Sequence, residues 1–334
     1  MVLITGATGL VGSHLAIHLL ENDEIVRAIY RNKKSIAKTK SLFELYKKPN
    51  LFDKIEWIQA DINDIPALEI AFENVEYVYH CAALVSFDPK DEDKLRKINI
   101  EGTANIVNFC LANNIQKLCY VSSIAAFGDL LDHEKITTEE TDWNPEKPHS
   151  DYAISKYGAE IEVFRAHQEG LNVVIVNPGV ILGTGFFESG SGEIFTKVKN
   201  GLSFYTNGTT GFVSVNDVVK AMLLLMKSNI NGERFALVAE NCTYKFILDT
   251  IADSLNVKKP SKYISKFLTD FAWRLDWIAA NIFQQKRRLS RNLANSLHSK
   301  DFYSNDKIKK VLNFKFEKIE DSIHEIVKFL KFVK

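Results

Sequence analysis

The chain has 334 residues, 46% of them apolar and 25% charged, enough for one large domain or two modest ones with real cores. Its 42 basic and 42 acidic side chains cancel, which argues against an extended nucleic-acid surface. Four cysteines without a Cys-x-x-Cys pair, and eight histidines without a metal-type cluster, predict a reduced protein with no metal site. No run reaches the roughly 18 apolar residues of a membrane span, and the apolar N-terminus lacks the basic flank of a signal peptide, so a cytoplasmic protein is expected.

Val2 to Thr5 reads as a short buried strand. Gly6-Ala7-Thr8-Gly9-Leu10-Val11-Gly12 follows at once, and an amphipathic helix is predicted from about Ser13 to Leu20, with Leu15, Leu19 and Leu20 on its apolar side. Strand, glycine turn and helix in that order are the setting in which a glycine motif binds a dinucleotide. Gly6 would allow the tight turn, Gly9 the approach of a pyrophosphate, and Gly12 the close packing of helix on sheet. The helix N-terminus would face the phosphates with free N–H groups. Gly6, Thr8, Gly9, Leu10, Val11 and Gly12 are therefore candidate cofactor-binding residues, at G-x-x-G-x-x-G spacing.

The second strand, Ile25 to Tyr30, ends on Arg31, Asn32, Lys33 and Lys34, with no acid between Ile25 and Ser35. An acid there would hold the free ribose hydroxyl of NAD; a cation suits the 2′-phosphate of NADP. Guanidinium matches phosphate geometry, so Arg31 is the candidate contact and NADP is favoured over NAD. Further strands at 55–58, 77–80 and 118–121 lead to Asp61-Ile62, Cys81-Ala82-Ala83 and Ser122-Ser123. Asp61 and Ile62 would flank an adenine, and the small residues at 81–83 would permit close cofactor approach. His80 reads as a packed histidine. The alternation predicts an α/β doubly wound, Rossmann-type parallel sheet.

Tyr152-Ala153-Ile154-Ser155-Lys156 places a phenol and an ammonium one helical turn apart on one face. A phenol has an ordinary pKa of about 10, and a nearby cation lowers it toward working pH. Tyr152 with Lys156 can then act as an acid/base pair.

Together these pieces resemble the short-chain dehydrogenase/reductase superfamily in its extended or atypical branch, the NAD-dependent epimerase/dehydratase superfamily. The glycine turn, Asp61-Ile62, Asn99-Ile100-Glu101-Gly102-Thr103, Val121-Ser122-Ser123, Tyr152-x-x-x-Lys156, Asn177-Pro178-Gly179 and Phe212 to Val218 occur in the family's order over about residues 1–220. Tyr303 to Phe314 resembles a C-terminal segment of the dihydroflavonol-reductase-like group; the hydroxysteroid dehydrogenases are near it.

The resemblance implies that Tyr152 exchanges a proton with a carbonyl or alcohol oxygen. It implies that Ser123 hydrogen-bonds that oxygen, and that Lys156 lowers the phenol's pKa and holds the nicotinamide ribose. Asn99 would support the active-site helix and a proton relay, and Pro178, Gly179 and Val180 would lie near the nicotinamide. Asp217 would cap a helix or enter the site. A homodimer is implied by resemblance alone.

Two enzyme readings compete: an oxidoreductase of apolar or phenolic carbonyls and alcohols, and a nucleotide-sugar epimerase. Dehydratases of the family carry Thr-Asp-Glu where this chain has Ser122-Ser123-Ile124, and sugar-nucleotide enzymes carry an arginine where it has Thr209-Thr210-Gly211. A diphosphate without such a cation is poorly held, which favours the reductase. A non-catalytic NADP(H)-binding protein is the third reading, opposed by the intact Ser123, Tyr152 and Lys156.

The expected division is a Rossmann domain over 1–180, rejoined by 212–240, and a smaller, mostly helical substrate lobe from 181–211 and 241–334. Gly183, Gly185, Gly190 and Gly192 suggest a mobile loop, with Phe186 and Phe187 lining a pocket. From Ile264 to Phe283 apolar residues recur at helical spacing, with Trp273 and Trp277, and Lys286-Arg287-Arg288 follows. This segment would pack inside the protein, roof a pocket, join subunits, or lie on a membrane surface without spanning it.

Overall fold

The computed structural model describes residues 1–282 and 289–331. Its strands are β1 Val2–Thr5, β2 Val26–Tyr30, β3 Glu56–Gln59, β4 Tyr77–His80, β5 Lys117–Val121, β6 Val173–Pro178, β7 Val180–Leu182, β8 Phe204–Tyr205, β9 Thr209–Ser214, β10 Glu233–Leu237, β11 Glu240–Thr243 and β12 Lys262–Tyr263. Seven of them form one parallel sheet in the order β10-β6-β5-β4-β1-β2-β3. The chain runs outward from β1 through β2 to β3, then returns to β4 on the other side of β1. That reversal opens a crevice at the carboxyl ends of β1 and β4, where such sheets bind ligands.

β1, β5 and β6 are buried along their whole length, as parallel strands covered by helices on both faces must be. The alternation of side chains feeds two cores. Val2 and Ile4 pack with Leu15, Leu42 and Met222 from helices Leu10–Glu21, Lys33–Leu45 and Val215–Lys227. Leu3, Val173 and Ile175 pack on the opposite face with Leu68, Ile106 and Val163 from helices Ile65–Phe72, Gly102–Ala112 and Asp151–Gln168. The α/β doubly wound expectation therefore holds.

A three-stranded sheet, β11-β9-β7, sits beside a third core that includes Phe195, Phe212, Ile247, Ile251 and Ile323. Phe186 and Phe187 differ from expectation. Both are buried, Phe186 with the Leu42 core and Phe187 with Phe195, so they fill the interior instead of lining a pocket. The glycines around them make close turns: a Cβ on Gly192 would lie 2.1 Å from the Phe186 carbonyl oxygen. Asp217 does not cap its helix. Ser214 does, and Asp217 Oδ2 accepts the Glu317 amide at 2.9 Å, tying the C-terminal segment down.

Residues 266–282 form the expected helix, but inside out. Thr269 and Ala280 are its buried side chains among those described, while Phe267, Leu268, Phe271, Leu275 and Ile278 are exposed. The reading of this stripe as internal packing is thus corrected: the inward side carries Thr269 and Ala280 with the half-buried Trp273, and the stripe faces out. Phe283 and the run Lys286-Arg287-Arg288 lie outside the described residues.

Candidate active site

The glycine turn shows why each glycine is needed. Gly6 has φ +70°, and a Cβ on it would meet the Ala82 amide nitrogen at 2.6 Å. A Cβ on Gly12 would lie 2.5 Å from the Gly6 carbonyl oxygen, so helix Leu10–Glu21 can start this close to β1 only with glycine there. A Cβ on Gly9 would meet a single atom, at 3.4 Å, so that side of the turn is open. Gly9 is also the N-cap and no side chain caps the helix, which leaves its first amides for an anion. An open glycine face, an uncapped helix N-terminus and the switch point of the sheet fit a dinucleotide pyrophosphate.

Arg31 follows β2 and is 64% exposed, with Nε 3.9 Å from Asp61 Oδ2. A phosphate meeting it would compete with Asp61 for the guanidinium. Asn32 caps helix Lys33–Leu45 through the Lys34 amide. Asp61 Oδ1 accepts the Asn63 amide at 2.9 Å, and Ile62 is buried against Gly102. Cys81 and Ala82 follow β4, and the Ala82 amide donates to Thr5 Oγ1. Gly179 lies so near β9 that a Cβ would sit 2.3 Å from the Gly211 carbonyl oxygen, and Pro178 and Val180 flank it at the ends of β6 and β7. His80 is a core residue as expected: it binds Thr5 and Thr103, and burial lowers its pKa to about 3.

Ser123 and Tyr152 meet at the carboxyl end of β5. Ser123 caps a short 3-10 turn, and Ser150 caps helix Asp151–Gln168, which puts Tyr152 in its first turn. The Tyr152 phenol is pushed up from its ordinary value by burial, and a hydrogen bond with the Ser123 hydroxyl pulls the other way. The lowering by Lys156 expected from the spacing is not what sets this phenol. Lys156 spends its protons elsewhere, on the Val121 carbonyl at 2.8 Å and on Tyr120 Oη at 3.2 Å. Its own burial lowers its pKa to about 8.

Asn99 lies in a π-helical turn, Arg96–Glu101, a form that recurs at functional sites. Its side chain holds both polar groups of Leu84 and donates to Ser155 Oγ at 2.9 Å, so it pins the helix that carries Tyr152.

Sequence reasoning missed two features. One is a buried acid, Glu160, one turn beyond Lys156. It accepts from Asn177 Nδ2 at 2.5 Å and from Arg234 at 3.0 Å, and Asn177 also donates to the Ser123 carbonyl at 3.0 Å. Burial pushes the Glu160 carboxyl up, against the pull of Arg234 and the hydrogen bond from Asn177. Its charge in turn favours the Lys156 ammonium. Tyr152-x-x-x-Lys156-x-x-x-Glu160 was visible as a helical repeat, but Arg234 and Asn177 are far off in sequence. The other is Phe87, whose ring stands edge-on to Tyr152 with centroids 5.6 Å apart and is itself partly exposed.

Residues 2–237 match the model of the NAD dependent epimerase/dehydratase family. The chain is 30% identical over 278 residues to a putative dihydroflavonol 4-reductase of Synechocystis, covering 81% of this chain and 77% of that one. It is 30% identical over 260 residues to sterol demethylase protein B of Methylococcus capsulatus, covering 77% and 75%. Among solved structures, gox2253 matches with a TM-score of 0.81 at 25% identity, over 100% of this chain and 98% of that one.

Replacing Arg234 with methionine leaves the Glu160 carboxylate buried without its cation. The expected loss of stability is about 3 kcal/mol, read as a lower urea midpoint. Arg234 also donates to the Glu139 carbonyl, so an unchanged midpoint would mean that neither that contact nor the Glu160 ion pair holds the fold together.

Proposed function

Since the chain belongs to the NAD dependent epimerase/dehydratase family, we propose that it reduces the carbonyl of an apolar or phenolic small molecule, or oxidises the matching alcohol, with NADP(H). That it is an NAD(P)-dependent oxidoreductase of the extended short-chain dehydrogenase/reductase type follows from the family match and its reductase relatives. The observation that carries the finer reading is what meets Tyr152: the Ser123 hydroxyl, which hydrogen-bonds the phenol, and the half-exposed ring of Phe87, which stands edge-on to it. An apolar flank beside the acid favours a substrate whose carbonyl is carried on an apolar body.

In this reading Tyr152 gives its phenolic proton to the carbonyl oxygen in reduction and takes it back from the alcohol in oxidation. Ser123 donates a hydrogen bond to the same oxygen. Lys156 would hold the ribose with the ammonium proton that Val121 and Tyr120 leave it. Bound, the nicotinamide supplies or accepts the hydride at the carbonyl carbon. Burial raises the pKa of Tyr152, which keeps it protonated at neutral pH and ready as a donor. Arg31, exposed and without an acid in its own loop, supports NADP.

The epimerase reading finds less support. Thr209, Thr210 and Gly211, where a diphosphate-gripping arginine would stand, are buried within β9. A buried strand of threonines and glycine has neither the charge nor the reach to hold a diphosphate.

Tyr152→Phe is expected to cut turnover about a hundred- to ten-thousandfold while leaving NADPH affinity within about twofold, by steady-state kinetics and calorimetry. Full activity in that variant would remove Tyr152 from the chemistry. The rate of reduction should fall as pH rises through about 8, where Lys156 loses its proton. Below that pH the ammonium is intact and the rate should be level; a level rate well above it would show that the ammonium is not needed. Calorimetric titration should show NADPH binding more tightly than NADH, with Arg31→Ala erasing the difference. Equal affinities in the unaltered protein, or tightly retained NAD with turnover of UDP-sugars, would instead favour the epimerase.

A further inference from the structure

We propose that helix Lys266–Ile282 is a docking face for an anionic lipid surface, on which the protein sits without crossing it. The first observation is the inverted orientation of the helix. At 100° per residue, Phe267, Ile278, Phe271, Leu275 and Leu268 fall in succession across an arc of about 100°, the width of a docking apolar face. All five are exposed, Phe267 to 79%. The opposite side carries Thr269 and Ala280, which are buried, flanked by the half-buried Trp273 and Asp276; Trp277, outside the arc, is also exposed. Thr269 Oγ1 bonds His298 at 2.6 Å and Asp276 accepts the Leu289 amide at 3.2 Å, so polar contacts hold the inner face to the protein. Five large apolar groups in one exposed arc form a patch of the kind that marks an interaction site. The two-stranded sheet β12-β8 leads into the helix and exposes Tyr263 and Phe204 as well.

The second observation is charge, and it selects the occupant. Between residues 258 and 282 the sequence has five lysines and arginines against two aspartates, in a chain whose 42 basic and 42 acidic side chains cancel overall. Lys259 is paired with Asp253, and Arg274 stacks on Trp273 and bonds the Asp270 carbonyl. Lys262 and Lys266 stand exposed at the N-terminal approach to the helix. A second copy of this surface would bring like charges together, whereas anionic headgroups would neutralise them while the aromatic face enters the interface. No described helix is long and apolar enough to cross a membrane, so the contact is one of surface.

The test is co-sedimentation of the full chain with vesicles of phosphatidylcholine alone and of phosphatidylcholine mixed with phosphatidylglycerol. Binding should be at least about tenfold stronger to the mixed vesicles, and should weaken as salt is raised. The double variant Phe267→Ser/Phe271→Ser should lose about tenfold or more of that binding while its circular dichroism melt stays unchanged. Should that variant misfold, Lys262→Ala/Lys266→Ala must still weaken binding to the mixed vesicles. No binding to either vesicle, or equal binding to both, would overturn the proposal. So would a dimer by analytical ultracentrifugation that the phenylalanine variant dissociates, since the face would then belong to a second copy.

Discussion

Lys156 meets the Val121 carbonyl at 2.8 Å, and that contact fixes where the helix bearing Tyr152 stands against the carboxyl end of β5. One turn earlier is the phenol, and one turn later is Glu160, which grips Asn177 of β6. Three side chains on one helical stripe thus reach the carboxyl ends of two adjacent strands. Asn177 closes the arrangement by donating to the carbonyl of Ser123. Displacing the helix by a fraction of a turn would break all these contacts together, so the relation of Tyr152 to Ser123 is held by structure that begins well behind the two hydroxyls.

Holding a lysine and a glutamate inside a protein is costly, and the pKa directions show the tension. Burial drives Lys156 down to about 8 and drives Glu160 up; the Glu160 charge then supports the ammonium, and Arg234 supports the Glu160 carboxylate. Such a group of charges adds little to stability compared with an apolar packing of equal volume. What it supplies is an ammonium whose proton is held only just firmly enough at neutral pH, next to a phenol that remains neutral. A site built to donate a proton to a carbonyl oxygen needs that pair of states.

The sheet and its glycine turn were legible because their causes are local. Gly6, Gly9 and Gly12 lie between a strand and a helix that the apolar pattern already marks, and the steric need for each is met within the same few residues. Tyr152 and Lys156 were legible for the same reason, being one turn apart. Glu160 was not, because what makes it a buried partner is Arg234 on the edge strand β10 and Asn177 on β6, and pattern along the chain carries no record of strand order. The phenol's pKa was misjudged on similar grounds: spacing places an ammonium near a phenol, but which oxygens take its protons depends on Tyr120 and Val121. Phe186 and Phe187 were misread because a glycine-rich run looks like an open loop whether or not its aromatics turn inward.

The apolar surface of this protein is unevenly placed, and the unevenness is informative. Phe186 and Phe187 were free to face out and are buried; the Phe267 stripe was free to pack and faces out. Turning that helix over would bury five large apolar groups and expose Thr269 and Ala280. Each large apolar group left in water forgoes about 1.5–3 kcal/mol of burial. A helix that turns such a face outward lacks a partner within its own fold, and the nearby lysines make an uncharged or cationic partner the poorest fit. At Tyr152 the same reasoning runs on a smaller scale. Phe87 leaves apolar surface beside a proton donor, and surface of that kind is best covered by the body of the molecule whose oxygen the donor meets.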